Sequence, residues 1–471
     1  MNKYKKLINN SIIFAVGNVG SKLILIFLMP FYTRYLTPGE FGTVDLVTTT
    51  TSMLLPIVSF SVYEAVLRYV LDKAYDESEI ISNGTMITII GSIFLSIFMV
   101  MLKKFGVLEN EHLIYFYLIL ITQSFQSLFA QYARGVGRIK LYAVNGIIAT
   151  IVTAFSAVIL LAYFKLGVKG YLLSIVLANG LSVIFLFLFL SLRKHIRVTN
   201  INKTLIKKML YYSIPLIPNA FSWWLSNASS RFFILFFCGV QINGLFAVAN
   251  KIPTLLTMLN TIFFQSWQLS AIEEYDSYQK KEYYSTVYAN YYQMLFLAIS
   301  FLLLILKLLI PFFVSKKFFD SWLYIPPLLA ATLYSSLSSF LGTIYIAAEQ
   351  TTRILFTTIV GGAANIILNL LLIPFLGGIG AGIGSWLSFF VIWYIRSKDT
   401  KKIVELSVDR KKFVMNHLLF FLQCCLIYVV RDNLVLFSLQ FCLFLANCFT
   451  NKEFLSNVLT IFLKRGKRET K

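Results

Sequence analysis

Asn219–Lys251 reads NAFSWWLSNASSRFFILFFCGVQINGLFAVANK. Most of it is apolar enough to sit in a bilayer, yet Asn219, Ser222, Ser226, Asn227, Ser230 and Arg231 fall on one helical run. Asn219, Trp223, Asn227 and Arg231 recur every four residues and so share one helix face. The chain turns between Gly239 and Gly244 and re-enters with a second cation, Lys251. A fixed charge in hydrocarbon costs roughly 2.5–3.5 kcal/mol on insertion scales, so it faces a cavity, a partner or the interface. Two cations near one hairpin suggest a water-filled cavity made for an anion.

The remaining chain has the same character. Of 471 residues, 58% are hydrophobic and 13% charged, with mean hydropathy +0.75. A soluble domain carries about 25% charge, so the composition is that of an all-α polytopic membrane protein. The net charge of +21 (42 Lys+Arg against 21 Asp+Glu) needs no nucleic-acid partner, because basic cytoplasmic loops account for it. Cys238, Cys424, Cys425, Cys442 and Cys448 lie in or beside apolar runs without metal-ligand spacing and read as reduced packing residues. The apolar run after Met1–Lys6 continues past Pro30 and reads as an uncleaved first span.

Apolar runs of about 20 residues mark spans at roughly 9–33, 42–63, 83–102, 112–133, 141–163, 170–192, 211–238, 244–268, 287–314, 323–347, 354–375, 379–396, 414–430 and 434–450. That is about fourteen helices, the last two joined by the tight turn Arg431-Asp432-Asn433. With the amino terminus inside, inner loops and tails hold about 30 Lys and Arg and outer loops about 8, so both termini are expected in the cytoplasm. The basic loops Arg193–Lys208 and Arg396–Lys412 and the tail Lys464–Lys471 are read as surface anchors to anionic lipid.

A faint repeat organises the spans. Arg138, Gly146 and Leu166-Gly-Val-Lys-Gly170 correspond to Arg353, Gly361 and Leu376-Gly-Gly-Ile-Gly380, and Gly42 corresponds to Gly244. An offset of six helices preserves orientation, so two six-helix bundles related by a pseudo-twofold along the membrane normal are expected. The expected division is 1–197 and 198–412 for the bundles, 413–450 for two additional helices, and 451–471 for a basic cytoplasmic tail.

The candidate cavity cations are Lys22, Arg231 and Lys251, with Lys22 near the centre of span one and Ser11 and Asn18 on its face. Asn18, Asn219, Asn227 and Gln123 are candidate polar lining. Asp45 is a candidate proton site or ion-pair partner, with Lys22 a suggested partner. Glu64 and Arg68, one turn apart, read as a structural pair. Lys307 lies near an outer loop and is expected to snorkel. The stripe Gln123, Ser127 and Gln131 and the run Tyr334–Ser339 read as interhelical hydrogen-bonding seams. Trp223 and Trp224 read as packing or interface residues, and Pro30, Pro215 and Pro218 as bend points. No phosphate-binding Gly-Lys-Ser/Thr loop, nucleophile–base set or metal cluster is present, and His112, His195 and His417 form no motif. The reading is therefore a non-enzyme without cofactor or metal.

Arg34-Tyr-Leu-Thr-Pro-Gly-Glu-Phe-Gly42, Tyr212-Ser-Ile-Pro-Leu-Ile-Pro218, Asn243-Gly-Leu-Phe-Ala-Val-Ala-Asn-Lys-Ile252 and Phe264-Gln-Ser-Trp267 resemble the Wzx-like oligosaccharide flippases. That family lies within the multidrug/oligosaccharidyl-lipid/polysaccharide exporter group. The resemblance covers nearly the whole chain. One position departs: the family often has Asp immediately before the Arg of span seven, and here Ser230 stands there.

The resemblance implies alternating access that moves an undecaprenyl-pyrophosphate-linked oligosaccharide from the inner to the outer leaflet of a bacterial plasma membrane. Lys22, Arg231 and Lys251 would hold the pyrophosphate. Each outward-moving negative charge gains about 2.3 kcal/mol per 100 mV of inside-negative potential. The implied partners are the lipid-linked substrate, membrane lipids, and a polysaccharide polymerase and glycosyltransferases. A teichoic acid or peptidoglycan-precursor flippase would read almost identically. A multidrug/cation antiporter would want carboxylates in its cavity, and a membrane-embedded polysaccharide polymerase a large external loop; neither feature is evident.

Overall fold

The computed structural model describes residues 24, 27–72, 75–104, 110–348, 350–457 and 460. Lys22, Asn18 and Ser11 lie outside the described residues, as do most of span one and Glu349. Among the described residues there is no strand. The protein is an all-α polytopic membrane protein. Among the described residues eleven helical segments are long and apolar enough to cross a bilayer, and Ser229–Phe264 and Thr352–Lys402 each hold more than one α-helix. Large apolar side chains such as Phe94, Leu188, Phe312 and Phe375 stand exposed, the arrangement hydrocarbon favours. The chain divides into two compact units, Met1–Phe232 and Phe233–Lys471. This division falls within span seven, whereas the repeat places the boundary at 197/198.

In the first unit α1 (Met29–Tyr35) is followed by α2 (Pro38–Val58) and α3 (Val62–Asp72). The stretch Arg34–Gly42 is a helix start. Glu40 N donates to Thr37 Oγ1 at 3.2 Å, Thr37 N donates to Glu40 Oε2 at 2.7 Å, and Pro38 occupies the first turn, a complete capping box. Span two ends earlier than expected, because Phe60 and Ser61 both take φ of 50° and separate α2 from α3. α3 buries Val62, Ala65, Val66 and Val70 on one face, so it packs laterally instead of prolonging the span. Then come α4 (Glu77–Lys104), α5 (Asn110–Gly135), α6 (Ile139–Val158) with a closing π-turn (Ile159–Tyr163), and α7 (Gly167–Phe189).

The basic stretch Arg193–Lys208 is more than a charged tether. Ser82 donates to His195 O at 3.0 Å and accepts from Arg197 N, while Asn83 bonds Asn200 O and Asn202 N. Asn202 then caps α8 (Lys203–Ser213), whose Leu205 and Met209 enter the core beside Val66 and Leu128. The loop is thus bolted to the start of α4. The expected bend at Pro215 appears as a turn at 214–215 before α9 (Leu216–Ala249).

α9 crosses into the second unit and leaves helical geometry at Gly239 (φ 83°, ψ 174°), a conformation essentially restricted to glycine. The second unit continues with α10 (Lys251–Glu273), α11 (Lys280–Phe313), α12 (Ile325–Ala347) and α13 (Thr351–Asp399). α13 breaks at Gly377 (φ 56°, ψ −139°). A straight helix would hold Asn365 and Ser388 roughly 35 Å apart at 1.5 Å per residue. Instead Asn365 Nδ2 donates to Ser388 Oγ at 3.2 Å, so the two arms run antiparallel. Gly167 in the first unit likewise takes positive φ (54°). A Cβ on Gly380 would collide with the backbone carbonyl of Leu372, and one on Gly170 would press on that of Leu160 at 3.1 Å. The two copies of the repeated Leu-Gly motif therefore make the same kind of helix–helix turn.

Asn260, Trp267, Tyr291 and Phe340 build the polar-aromatic heart of this unit. Tyr291 donates to Asn260 Oδ1 at 2.9 Å, Asn260 Nδ2 donates to Ser336 Oγ, and Trp267 Nε1 donates to Thr343 Oγ1 at 2.7 Å. The Trp267 and Phe340 rings stack with centroids 4.6 Å apart. Ser336 of the Tyr334–Ser339 run is thus part of an interhelical seam.

The last two helices are complete elements, α14 (Arg410–Val429) and α15 (Asn433–Thr450). Their tight connection is possible because Asp432 accepts from Leu434 N and Val435 N and caps α15 at once. An amide ladder ties them together. Asn451 Nδ2 donates to Asn416 Oδ1 at 2.7 Å, Gln440 Nε2 to Gln423 O at 2.8 Å, and Gln423 reaches Ser300 O of α11. The seven-residue spacings 416/423 and 440/447 place these amides on facing stripes.

Candidate functional site

The structure joins two of the sequence candidates directly. Arg231 Nε donates to Asp45 Oδ2 at 2.7 Å, across 186 residues of sequence. The two side chains are 19% and 12% exposed, so the pair is largely enclosed among the α2, α7 and α9 helices of the first unit. α9 is held in register by Trp224, whose Nε1 donates to Thr49 O of α2 at 3.1 Å while its ring lies 5.3 Å from Phe232. Trp224 is a packing residue, as its sequence context suggests. Asp45 also lies within electrostatic reach of Tyr171, which packs against Tyr32 and Phe41.

This pairing alters how Arg231 can act. Paired ions are far less costly in low dielectric than a lone cation, provided geometry is good. An anionic ligand must therefore share the guanidinium with Asp45 or displace it. The carboxylate that the Ser230 position lacks reaches Arg231 from another helix. Asp45 is thus engaged by Arg231, and Lys22, its suggested partner, lies outside the described residues.

The other described candidates lie on different elements. Lys251 is half-buried in the first turn of α10, in the second unit. Gln123 is half-buried on α5, and Gln131 on the same stripe has a buried Oε1 without a hydrogen-bond partner. Asn219 and Asn227 lie within α9. Glu64 and Arg68 do not pair. Arg68 is exposed, and the charge acting on Glu64 is that of Arg134 on α5. Burial holds the Glu64 carboxyl above its ordinary range against the pull of Arg134. Lys307 sits 4.6 Å over the Trp322 ring and reaches Val430 O at 3.5 Å.

One residue escaped the sequence reading altogether. Arg396, grouped there with a surface-anchoring loop, is 6% exposed. Its guanidinium donates to Thr357 Oγ1 at 3.0 Å, Ser338 O at 2.9 Å and Thr358 Oγ1 at 3.2 Å. Gly342 leaves the slot it occupies, since a Cβ there would meet Nη1 at 2.8 Å. The nearby carboxylate, Asp399, is taken by Arg353 (2.5 Å) and Tyr345 (2.9 Å). Arg396 thus clamps α12 to both arms of α13. Only the spacing of Thr357 and Thr358 against a span end hinted at it.

Among the described residues no group of His, Cys, Asp and Glu is arranged to hold a metal ion. His417 is packed between Phe296 and Phe413, and the five cysteines are free.

Residues 7–268 match the family described as "Polysaccharide biosynthesis protein". A protein of the Lsg locus of Haemophilus influenzae is 26% identical over 260 residues, 54% of this chain and 63% of that protein, so the match spans less than two thirds of the relative. Among solved structures, the lipid II flippase MurJ in an inward closed conformation superposes with TM-score 0.69 at 13% identity, covering 95% of this chain and 100% of that one. An inward-facing multidrug resistance MATE family transporter superposes with TM-score 0.63 at 13% identity, covering 81% and 95%. At these identities the likeness shows a shared fold.

Proposed function

The chain belongs to the polysaccharide biosynthesis protein family, and from that premise we propose that it is a flippase. It carries an undecaprenyl-pyrophosphate-linked oligosaccharide from the inner to the outer leaflet of the bacterial plasma membrane, as a transporter and not as a catalyst. The observation that carries this reading is the Arg231–Asp45 pair, a polar pair on helices otherwise made for hydrocarbon. A pyrophosphate bears charge that a bilayer rejects, and Arg231, Lys22 and Lys251 supply the cations that replace its water. Asp45 keeps Arg231 neutralised until the substrate's phosphate competes for the guanidinium. Basic loops on the cytoplasmic side set the orientation, with both termini inside.

The test is complementation of a strain lacking this protein. Surface polysaccharide and accumulated lipid-linked intermediate are scored for Lys22→Ala, Arg231→Ala and Lys251→Ala, with Lys307→Ala as control. Loss of polymer with intermediate trapped inside, at normal protein levels, is the expected result. Normal polymer in all three would remove the cations from the mechanism. Normal polymer in the deletion strain itself would refute the flippase reading.

A further inference from the structure

The second unit contains a cavity of about 330 Å³ where α13 ends and α14 begins. Leu341, Trp393, Val404 and Phe413 form its apolar wall, with the Trp393 and Phe413 rings nearly parallel and 6.0 Å apart. Lys401 and Arg410 line the same cavity and are exposed, which places their charges on its open side. Among the described residues no acidic side chain lines it. The three carboxylates of the connecting segment are committed elsewhere. Asp399 is held by Arg353 and Tyr345, and Glu405, which also feels Lys401, by Lys281 at 2.7 Å. Asp409 is held by the backbone N–H groups of Lys411 and Lys412. Two cations therefore face an apolar pocket whose wall supplies no fixed counter-ion.

α13 and α14 both belong to segments fit to cross the bilayer, so the ten-residue connection between them lies at headgroup level. A ligand for this place needs a negative head and an apolar body, and it arrives from the membrane itself. We propose that the cavity is a binding site for a single anionic phospholipid of the adjoining leaflet. Lys401 and Arg410 hold the phosphate, and the first methylenes of one acyl chain lie against Leu341, Trp393 and Phe413. Basic pockets between transmembrane helices suit anionic headgroups on these grounds. Of the hydroxyls that line the cavity, Ser397 already donates to Tyr394 O and Thr400 to Arg396 O, so neither is spare for a free phosphate or a nucleotide. The site is independent of the flippase reading.

The test uses the full chain purified in neutral detergent. Native mass spectrometry and thermal unfolding are followed with phosphatidylglycerol, with phosphatidylcholine and with inorganic phosphate. Phosphatidylglycerol is expected to remain bound and to raise the unfolding temperature, and the other two are not. Lys401→Gln/Arg410→Gln should weaken binding on the order of tenfold, from about 1 kcal/mol per interfacial cation. Lys402→Gln/Lys411→Gln, which removes equal charge from outside the cavity, should leave binding intact. Val408→Trp fills the cavity without changing charge and should abolish it, the transition in detergent alone reporting that the variant is folded. Equal losses in both double variants would reduce the effect to diffuse attraction and overturn the proposal. So would an equal response to phosphatidylcholine or to phosphate alone, or lipid retention by folded Val408→Trp.

Discussion

At the scale of single residues, the chain places its enclosed charges in two different ways. Arg231 is neutralised by one carboxylate, whereas Arg396 is surrounded by hydroxyl and carbonyl oxygens. The first arrangement can be exchanged, because a competing anion can take the place of the Asp45 carboxylate beside Arg231. The second has no titrating partner in contact and serves as a clamp. Removing one member of an enclosed pair strands the other, at about 3–5 kcal/mol. Arg231→Ala and Asp45→Ala are therefore each expected to lower the thermal stability of the detergent-purified protein. The double variant should lose less than the sum of the two. Strict additivity in that cycle would show that the pair is uncoupled. Arg231 stood out in the sequence because a cation in an apolar run is conspicuous. Its partner did not, because 186 residues intervene and Lys22 lay nearer to Asp45 in the sequence.

At the scale of elements, glycine decides where the spans turn. Gly377 holds a backbone conformation that other residues adopt only at about 1–3 kcal/mol, although the space beside it is open apart from Cys238 Sγ at 3.8 Å. Gly146 sits in regular helix, and a methyl group placed on its Cα would meet nothing within 4 Å. Gly377→Ala should therefore destabilise the protein by that amount and Gly146→Ala should be neutral or slightly stabilising, as followed by thermal unfolding. Equal effects would mean that the turn at 377 is not conformationally demanding. The sequence showed the Leu-Gly motifs as a repeat. It did not show that Gly167 and Gly377 take positive φ, or that α3 leaves the path of span two at Phe60 and Ser61. Those are backbone choices imposed by neighbouring helices. Gly91 illustrates this, since a Cβ there would collide with Val58 O.

At the scale of the whole molecule, the excess of Lys and Arg in alternate loops predicts an orientation with both termini in the cytoplasm. A green fluorescent protein fused after Lys471 should fluoresce, and alkaline phosphatase at the same position should be inactive. The reverse pattern would overturn the cytoplasmic assignment of the carboxy terminus. The same excess hides individual roles. Of the basic residues between Arg396 and Lys412, one is buried, two face a cavity, and Lys412 binds Glu453 at 2.5 Å.

The sequence by itself determined that this is a many-span helical membrane protein with an internal repeat and with cations placed where hydrocarbon would reject them. Hydropathy and charge are one-dimensional properties, and a bilayer imposes its thickness and sidedness on them directly. Only the tertiary structure decided which charges meet. It put Asp45 against Arg231 and Glu64 towards Arg134, placed Arg396 in the interior, and locked Asn416 to Asn451. Those outcomes follow from helix rotation and lateral packing. Rotation is set by the combined fit of side chains from distant segments, and a linear pattern does not encode that fit locally.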